Sequence, residues 1–185
     1  GVRAMAAALG SPFEVTGAAH DPAQKKTMLR IEGFETSVMY RLGRLRDLLG
    51  NMGAEFTVSD EHETADAWVA TRDVAAFQAT QGDVWRVACK PSDGPALAAR
   101  AQADAWLYDW AGGLIWLRCA AGHDLRHKLG AFEGHATLVR ADDETKARLG
   151  VFHPENSGVA RLTSALRAKF DPKGLFNTGL MERAA

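Results

Sequence analysis

The sequence is short of cysteine, short of net charge and without any long apolar run. Cys89 and Cys119 are the two cysteines among 185 residues. Two thiols build neither a disulfide framework nor a four-ligand zinc site. They read as reduced, buried and inert, which fits a cytoplasmic protein and leaves no metal site to expect. The 22 Lys+Arg nearly cancel the 23 Asp+Glu, for a net charge of −1. A nucleic-acid binder or a polybasic membrane-surface protein carries a clear excess of Lys and Arg, so no nucleic acid is expected as partner. No apolar stretch approaches the roughly 20 residues of a membrane span. No glycine pattern of the phosphate-cradling kind opens a helix. No Ser-centred elbow and no pair of carboxylates stands out. What is present, 46% hydrophobic and 24% charged residues, is the composition of a globular domain. At roughly 150 residues per domain, the length suits one domain with an appendage.

Gly1 to Leu9 read as the tail of a helix already under way, with no charged leader ahead of an apolar core. The expectation is a piece of a longer protein. Phe13 to Ala19 and Thr27 to Phe34 alternate apolar and polar residues and predict an antiparallel pair of strands. Val38, Leu42, Leu45 and Leu49 form one helical stripe. Thr36 or Ser37 caps its start in this reading, and Arg41, Arg44 and Arg46 lie off the stripe on a solvated face. Ala54–Val58 reads as a strand, followed by a helix capped by Ser59 or Asp60. Asp83–Lys90, Ala105–Trp110 and Leu114–Cys119 read as strands. A short helix spans Pro95–Gln102, and Ala111-Gly112-Gly113 marks a hairpin. A helix over Gly122–Phe132 and a short strand over His135–Val139 follow. Ser157–Phe170 predicts a helix with Val159, Leu162, Leu166 and Phe170 on one face, ended by Asp171-Pro172. Hairpins mixed with strand–helix alternation predict an α+β fold: a ferredoxin-like antiparallel sheet with helices on one face, then a C-terminal helix and an extended tail.

The chemistry-bearing residue types are sparse. Trp106 and Trp110 share a strand face in this reading, with Trp116 across the hairpin, and sheet-core packing accounts for them better than a ligand platform. His123 and His127 have metal-pair spacing on a helix, but no glutamate follows as general base, and Asp124 and Arg126 read as solvated. Two segments say more. Gly130 to Leu138 carries His135 and Thr137 on a strand entered through Gly134, so their polar groups can point into a cleft. Phe170 to Met181 is rich in turn formers, and Asn177 and Gly179 can bring backbone close to a ligand.

Together these segments resemble something specific. Asp171-Pro172, Gly174 and Asn177-Thr178-Gly179 resemble the tail of the FAD-linked oxidases related to vanillyl-alcohol oxidase and D-lactate dehydrogenase, with Thr178 where proline is usual. Asp109 to Leu117, around Trp110-Ala111-Gly112-Gly113, and Gly134-His135-Ala136-Thr137 resemble segments of the E subunit of bacterial glycolate oxidase, in the same order. The resemblance implies the C-terminal half of such a subunit. Residues 1–140 would be a ferredoxin-like cap or substrate domain, and 141–185 a helical segment and tail packing back toward a missing FAD domain. It implies an oxidoreductase parent that binds FAD and oxidises a small 2-hydroxy acid such as glycolate. This fragment alone would be inactive and without FAD. His135, Thr137 and Asn177 would be the cofactor-binding residues, and no catalytic base is assigned. The implied partners are the larger flavin subunit and the iron–sulfur subunit. The implied location is cytoplasmic, peripheral to the inner membrane through that complex. The rival reading is a non-catalytic ferredoxin-like module that binds a small molecule or assembles a complex.

Overall fold

The alternating stretches become six strands: β1 (Val15–Asp21), β2 (Lys26–Ile31), β3 (Asp83–Cys89), β4 (Ala105–Asp109), β5 (Leu114–Cys119) and β6 (Gly134–Arg140). They pair into one antiparallel sheet in the order β2-β1-β4-β5-β3-β6. The structure is a computed structural model and describes residues 1–177 and residue 180. The expectations placed on Thr178, Gly179 and Met181 lie outside the described residues.

A strand turns alternate side chains to opposite faces. On β3, Trp85 and Val87 turn to one face, where they stand in register with Leu117 and Ile115 of β5 and with Leu138 and Ala136 of β6. Helices α1 (Val2–Leu9), α5 (Gly94–Arg100) and α6 (Leu125–Leu129) cover that face. Their Met5, Leu97, Leu125 and Leu129 join the same buried cluster. Burying each such side chain contributes about 1.5–3 kcal/mol. The opposite face is covered only in part. Val74 and Phe77 pack there on Val84, Leu107 and Trp116, at the end of α3 (Glu61–Arg72) and in α4 (Ala75–Gln78). Asp60 starts α3 through a reciprocal capping box with Glu63, one of the two caps the sequence offered.

Several expectations are corrected. Ala54–Val58 is not a strand. Its alternation records an extended, half-covered chain: Phe56 lies beneath the Arg46 guanidinium and, with Val58, lines a groove beside Leu45 and Leu49. Helix α2 (Glu35–Gly50) starts on Phe34, without a side-chain cap from Thr36 or Ser37. Leu45 and Leu49 are its buried apolar residues, while Val38 and Leu42 are half-buried. Arg41 is not solvated like Arg44 and Arg46. It is 7% exposed and donates to the Glu32 carbonyl at 2.7 Å and to Glu14 Oε2 at 3.3 Å. The expected Gly122–Phe132 helix contracts to α6, because Gly122 and Gly130 take φ of 75° and 65°, backbone that glycine adopts and a helix cannot continue through.

Arg126 is the largest correction. It donates to the carbonyls of Ala136 (3.0 Å), Leu149 (2.8 Å), Gly150 (3.0 Å) and Val151 (2.7 Å), and its guanidinium lies 4.8 Å from the Trp85 ring centroid. It thereby ties β6 to the end of α7 (Asp143–Leu149), a helix the sequence reading passed over. Leu138 N–H donates to the Val151 carbonyl, and Ala136 N–H to His153 Nδ1. The outer edge of β6, an exposed template in most sheets, is closed by these bonds. Arg140 does the same for the α4 segment through the carbonyls of Phe77, Gln78, Thr80 and Gly82. The C-terminal helix α8 (Ser157–Phe170) forms as expected, capped by Asn156. Its stripe is uncovered, with Leu162 at 69% and Phe170 at 76% exposure.

Arg126→Met strips donors from four carbonyls at once. We expect a loss on the order of 3 kcal/mol or more, since bonds to a charged group contribute about 1.5–3 kcal/mol each. Leu45→Ala is expected to lose about 2–5 kcal/mol, and exposed His127→Ala to stay within about 0.5 kcal/mol. Urea unfolding of the three variants checks the ranking, and equal midpoints for Arg126→Met and His127→Ala would remove the clasp from the account.

Candidate functional site

The candidate site lies on the partly open face of the sheet, at the end where β6 begins. Gly134 opens β6 at φ 147°, and a Cβ there would fall onto the Ala88 carbonyl oxygen. The glycine of Gly134-His135-Ala136-Thr137 is therefore required by the close approach of two strands. From there the period of two does the sorting. Ala136 turns into the core with no exposure, while His135 and Thr137 turn to the other face. In register, His135 stands opposite Ala88 and Thr137 opposite Arg86. Side chains directly opposite across an antiparallel pair lie about 5 Å apart, and diagonal ones about 7–8 Å. Arg86 is thus a close neighbour of Thr137 and a diagonal neighbour of His135.

The Trp110–Gly112 turn between β4 and β5 supplies the third element. Trp110 and Ala111 adopt φ of 50° and 56°, and Gly112 follows at 96°. Non-glycine residues rarely take this backbone. Two packed contacts hold it: the Asp109 carboxylate accepts from Trp110 N–H at 2.7 Å, and a Cβ on Gly94 would collide with the Gly112 carbonyl. The turn swings Trp110 out of the strand to 56% exposure, with its ring centroid 5.7 Å from the Arg86 guanidinium. Burial pushes the Asp109 carboxyl above its ordinary value, and the Trp110 N–H opposes that shift.

Arg86 is half-buried, yet among the described residues it has no hydrogen-bond acceptor and no ion pair, only the Trp110 ring. The Thr137 hydroxyl is likewise without a hydrogen bond among the described residues. Sequence reasoning missed Arg86. Its signal was a lone cation between Trp85 and Val87 in the apolar run Val84–Cys89.

The structure places His135 and Thr137 on one face of β6, and joins Asn177 to neither by a described hydrogen bond. Asn177 is exposed at φ 50°, and its carbonyl accepts from Leu180 N–H. The chain before it is held by Asp171, whose carboxylate accepts from Leu175 and Phe176 N–H, both at 2.9 Å. No described hydrogen bond or ion pair joins this tail to β6. Trp106 and Trp110 do not share a face: Trp106 packs on the core and Trp110 leaves the strand. His123 lies ahead of α6 and pairs through Nε2 with the Ala101 carbonyl, while His127 is exposed. No cluster of metal-ligating side chains occurs among the described residues. Burial pushes the Cys119 thiol up to about 12 and also raises Cys89, which suits inert thiols.

His135, Thr137, Arg86 and Trp110 thus gather at one partly open corner of the sheet of an α+β domain. The chain is 31% identical over 155 residues to glycolate oxidase subunit GlcE of Escherichia coli (strain K12), and the match covers 83% of this chain. A match of that extent fits a partial homologue of the glycolate oxidase E subunit. The chain spans 38% of the relative's length. No family model matches the chain, and no solved structure does. Among the described residues no helix is long and apolar enough to cross a membrane.

His153 makes the edge of this site sensitive to pH. Its Nδ1 accepts from Ala136 N–H, so the neutral ring is the bonded form. Burial lowers its pKa from 6.5, and the Arg126 and His135 charges add to that. The unfolded chain therefore binds the proton more readily. Stability from this group is complete above pH 6.5 and falls as pH drops from 6.5 toward the lowered value. His20, also lowered by burial, adds a slope of the same sign. Melting temperatures between pH 7.5 and pH 5 should decline less steeply in His153→Gln, which keeps an acceptor and loses the titration; an unchanged slope would remove His153 from the cause.

Proposed function

We propose that this chain is the cap portion of an FAD-dependent oxidoreductase subunit that takes part in oxidising a small 2-hydroxy acid, such as glycolate, to the 2-oxo acid. The similarity to the glycolate oxidase E subunit along 83% of the chain carries this reading. The outward turn of His135 and Thr137 onto one open face supports it. The residues present fit one wall of a flavin site: exposed polar groups at a sheet corner, a guanidinium without an acceptor, and a tryptophan fixed beside it. When bound, FAD supplies the hydride acceptor, and the protein supplies position and electrostatics.

His135 and Thr137 would face the flavin edge, and the segment around Asn177 would close over the ring. The sheet behind them would exclude water from one side. The phosphates would be held by the part of the subunit outside this chain. The partners would be the larger flavin subunit and the iron–sulfur subunit, in a cytoplasmic complex peripheral to the inner membrane. The rival, a non-catalytic assembly module, draws support from the uncovered α8 stripe.

The isolated chain is expected to be colourless, because one open wall does not enclose a cofactor. In the full-length subunit, His135→Ala and Asn177→Ala are each expected to weaken FAD binding about two- to tenfold, the effect of one lost neutral hydrogen bond, with melting temperature unchanged. Titration of FAD into the apoprotein measures this. Wild-type affinity and electron transfer in both variants would leave the two segments as structural clasps.

A further inference from the structure

We propose that Arg86 is a carboxylate-binding residue: its guanidinium fork holds the carboxylate of the 2-hydroxy acid, the Thr137 hydroxyl is the second donor, and the Trp110 ring is the wall behind them. The substrate class rests on the reading under Proposed function; the anion site rests on the structure.

Arg118 and Arg167 are also half-buried without a side-chain hydrogen bond among the described residues, whereas three other arginines find acceptors within the chain. Arg41 is spent on Glu32, Ser37 and Glu14. Arg126 and Arg140 each saturate a fan of backbone carbonyls. Arg86 has lost part of its water and has the Trp110 ring as its described partner. A cation–π contact contributes about 0.5–1 kcal/mol at exposed sites, while a desolvated cation without an acceptor is costly. Guanidinium donors held in a fixed plane suit a bidentate carboxylate.

The position is imposed by the fold. Trp85 and Val87 are fully buried on the core side, so Arg86 must emerge on the open face. Two carboxylates adjoining these segments are engaged elsewhere. Glu133 pairs with Lys90 at 3.8 Å, and the Asp109 carboxylate caps Trp110 N–H. A 2-hydroxy acid carries its hydroxyl on the carbon next to the carboxylate. Thr137 stands in register opposite Arg86, with His135 on the diagonal, so a 2-hydroxy acid held on the guanidinium lies on the face that these side chains share.

The test uses the full-length, flavin-loaded subunit and oxalate, an unreactive carboxylate probe, read by the perturbation of flavin absorbance. Arg86→Gln is expected to weaken oxalate at least about tenfold, Arg86→Lys to recover part of that loss, and Thr137→Val to weaken it severalfold. Flavin content and melting temperature should stay at wild-type values, and the effect should be absent for uncharged glycolamide. Oxalate affinity unchanged in Arg86→Gln overturns the proposal, as does a wild-type subunit that binds no oxalate. Loss of flavin from Arg86→Gln and Arg86→Lys, with unchanged oxalate affinity in the loaded fraction, also overturns it and assigns Arg86 to the cofactor. If oxalate binds through Arg86 but no 2-hydroxy acid is oxidised, the anion site stands and the oxidase reading fails.

Discussion

The packing of Trp85 and Val87 against Ala136 and Leu138, in register across β3 and β6, is the constraint on which the rest depends. Strand side chains alternate with a period of two, and a slip of one residue would exchange the faces. Once those four residues are committed to the core, Arg86, His135 and Thr137 have nowhere to go but the open face. Exchanged faces would place a guanidinium, an imidazole and a hydroxyl in the core and three aliphatic side chains and an indole in water. The hydrophobic term therefore selects the register, and the register builds the site.

That register is held from the outside as well. β6 is an edge strand, and edge strands shift or pair with foreign chains unless covered. Arg126, His153 and Val151 take up its outward backbone groups. The same Arg126 guanidinium lies on Trp85, so one cation joins the core's largest buried side chain to the edge of the site. The structural and the candidate functional residues thus alternate along β6, each depending on the other's placement.

Much of this was legible in the sequence. The six strands follow from alternation and turn residues, and the outward pairing of His135 with Thr137 follows from spacing alone. What failed has a physical reason. A solvated arginine and one that saturates four carbonyls look identical in sequence, so Arg41 and Arg126 were misplaced: their acceptors come from residues far along the chain. Ala54–Val58 alternates like a strand, but alternation reports one covered side, not a ladder of hydrogen bonds. Arg86 was overlooked because the apolar run around it drew the eye to packing. Its significance lies in what does not contact it, which only the fold reveals.

The C-terminal helix poses the reverse problem. An isolated helix of 14 residues is marginal in water on propensity alone. Its stability comes from covering an apolar face. The Asn156 cap and the Asp171 turn, which gathers Leu175 and Phe176 N–H on one carboxylate, secure the ends of α8. Neither covers Val159, Leu162, Leu166 and Phe170, all of which are exposed. Leu175 and Phe176 extend the same apolar character into the tail, at 69% and 68% exposure. Exposed apolar residues gathered along one helix face in this way mark a contact face. The proposal that 141–185 packs toward the FAD-binding part of the subunit gives that surface its cover. It would also bring Asn177, which no described hydrogen bond joins to β6, to the candidate site from the opposite side. In that arrangement the sheet corner and the tail would be two walls facing each other across the cofactor.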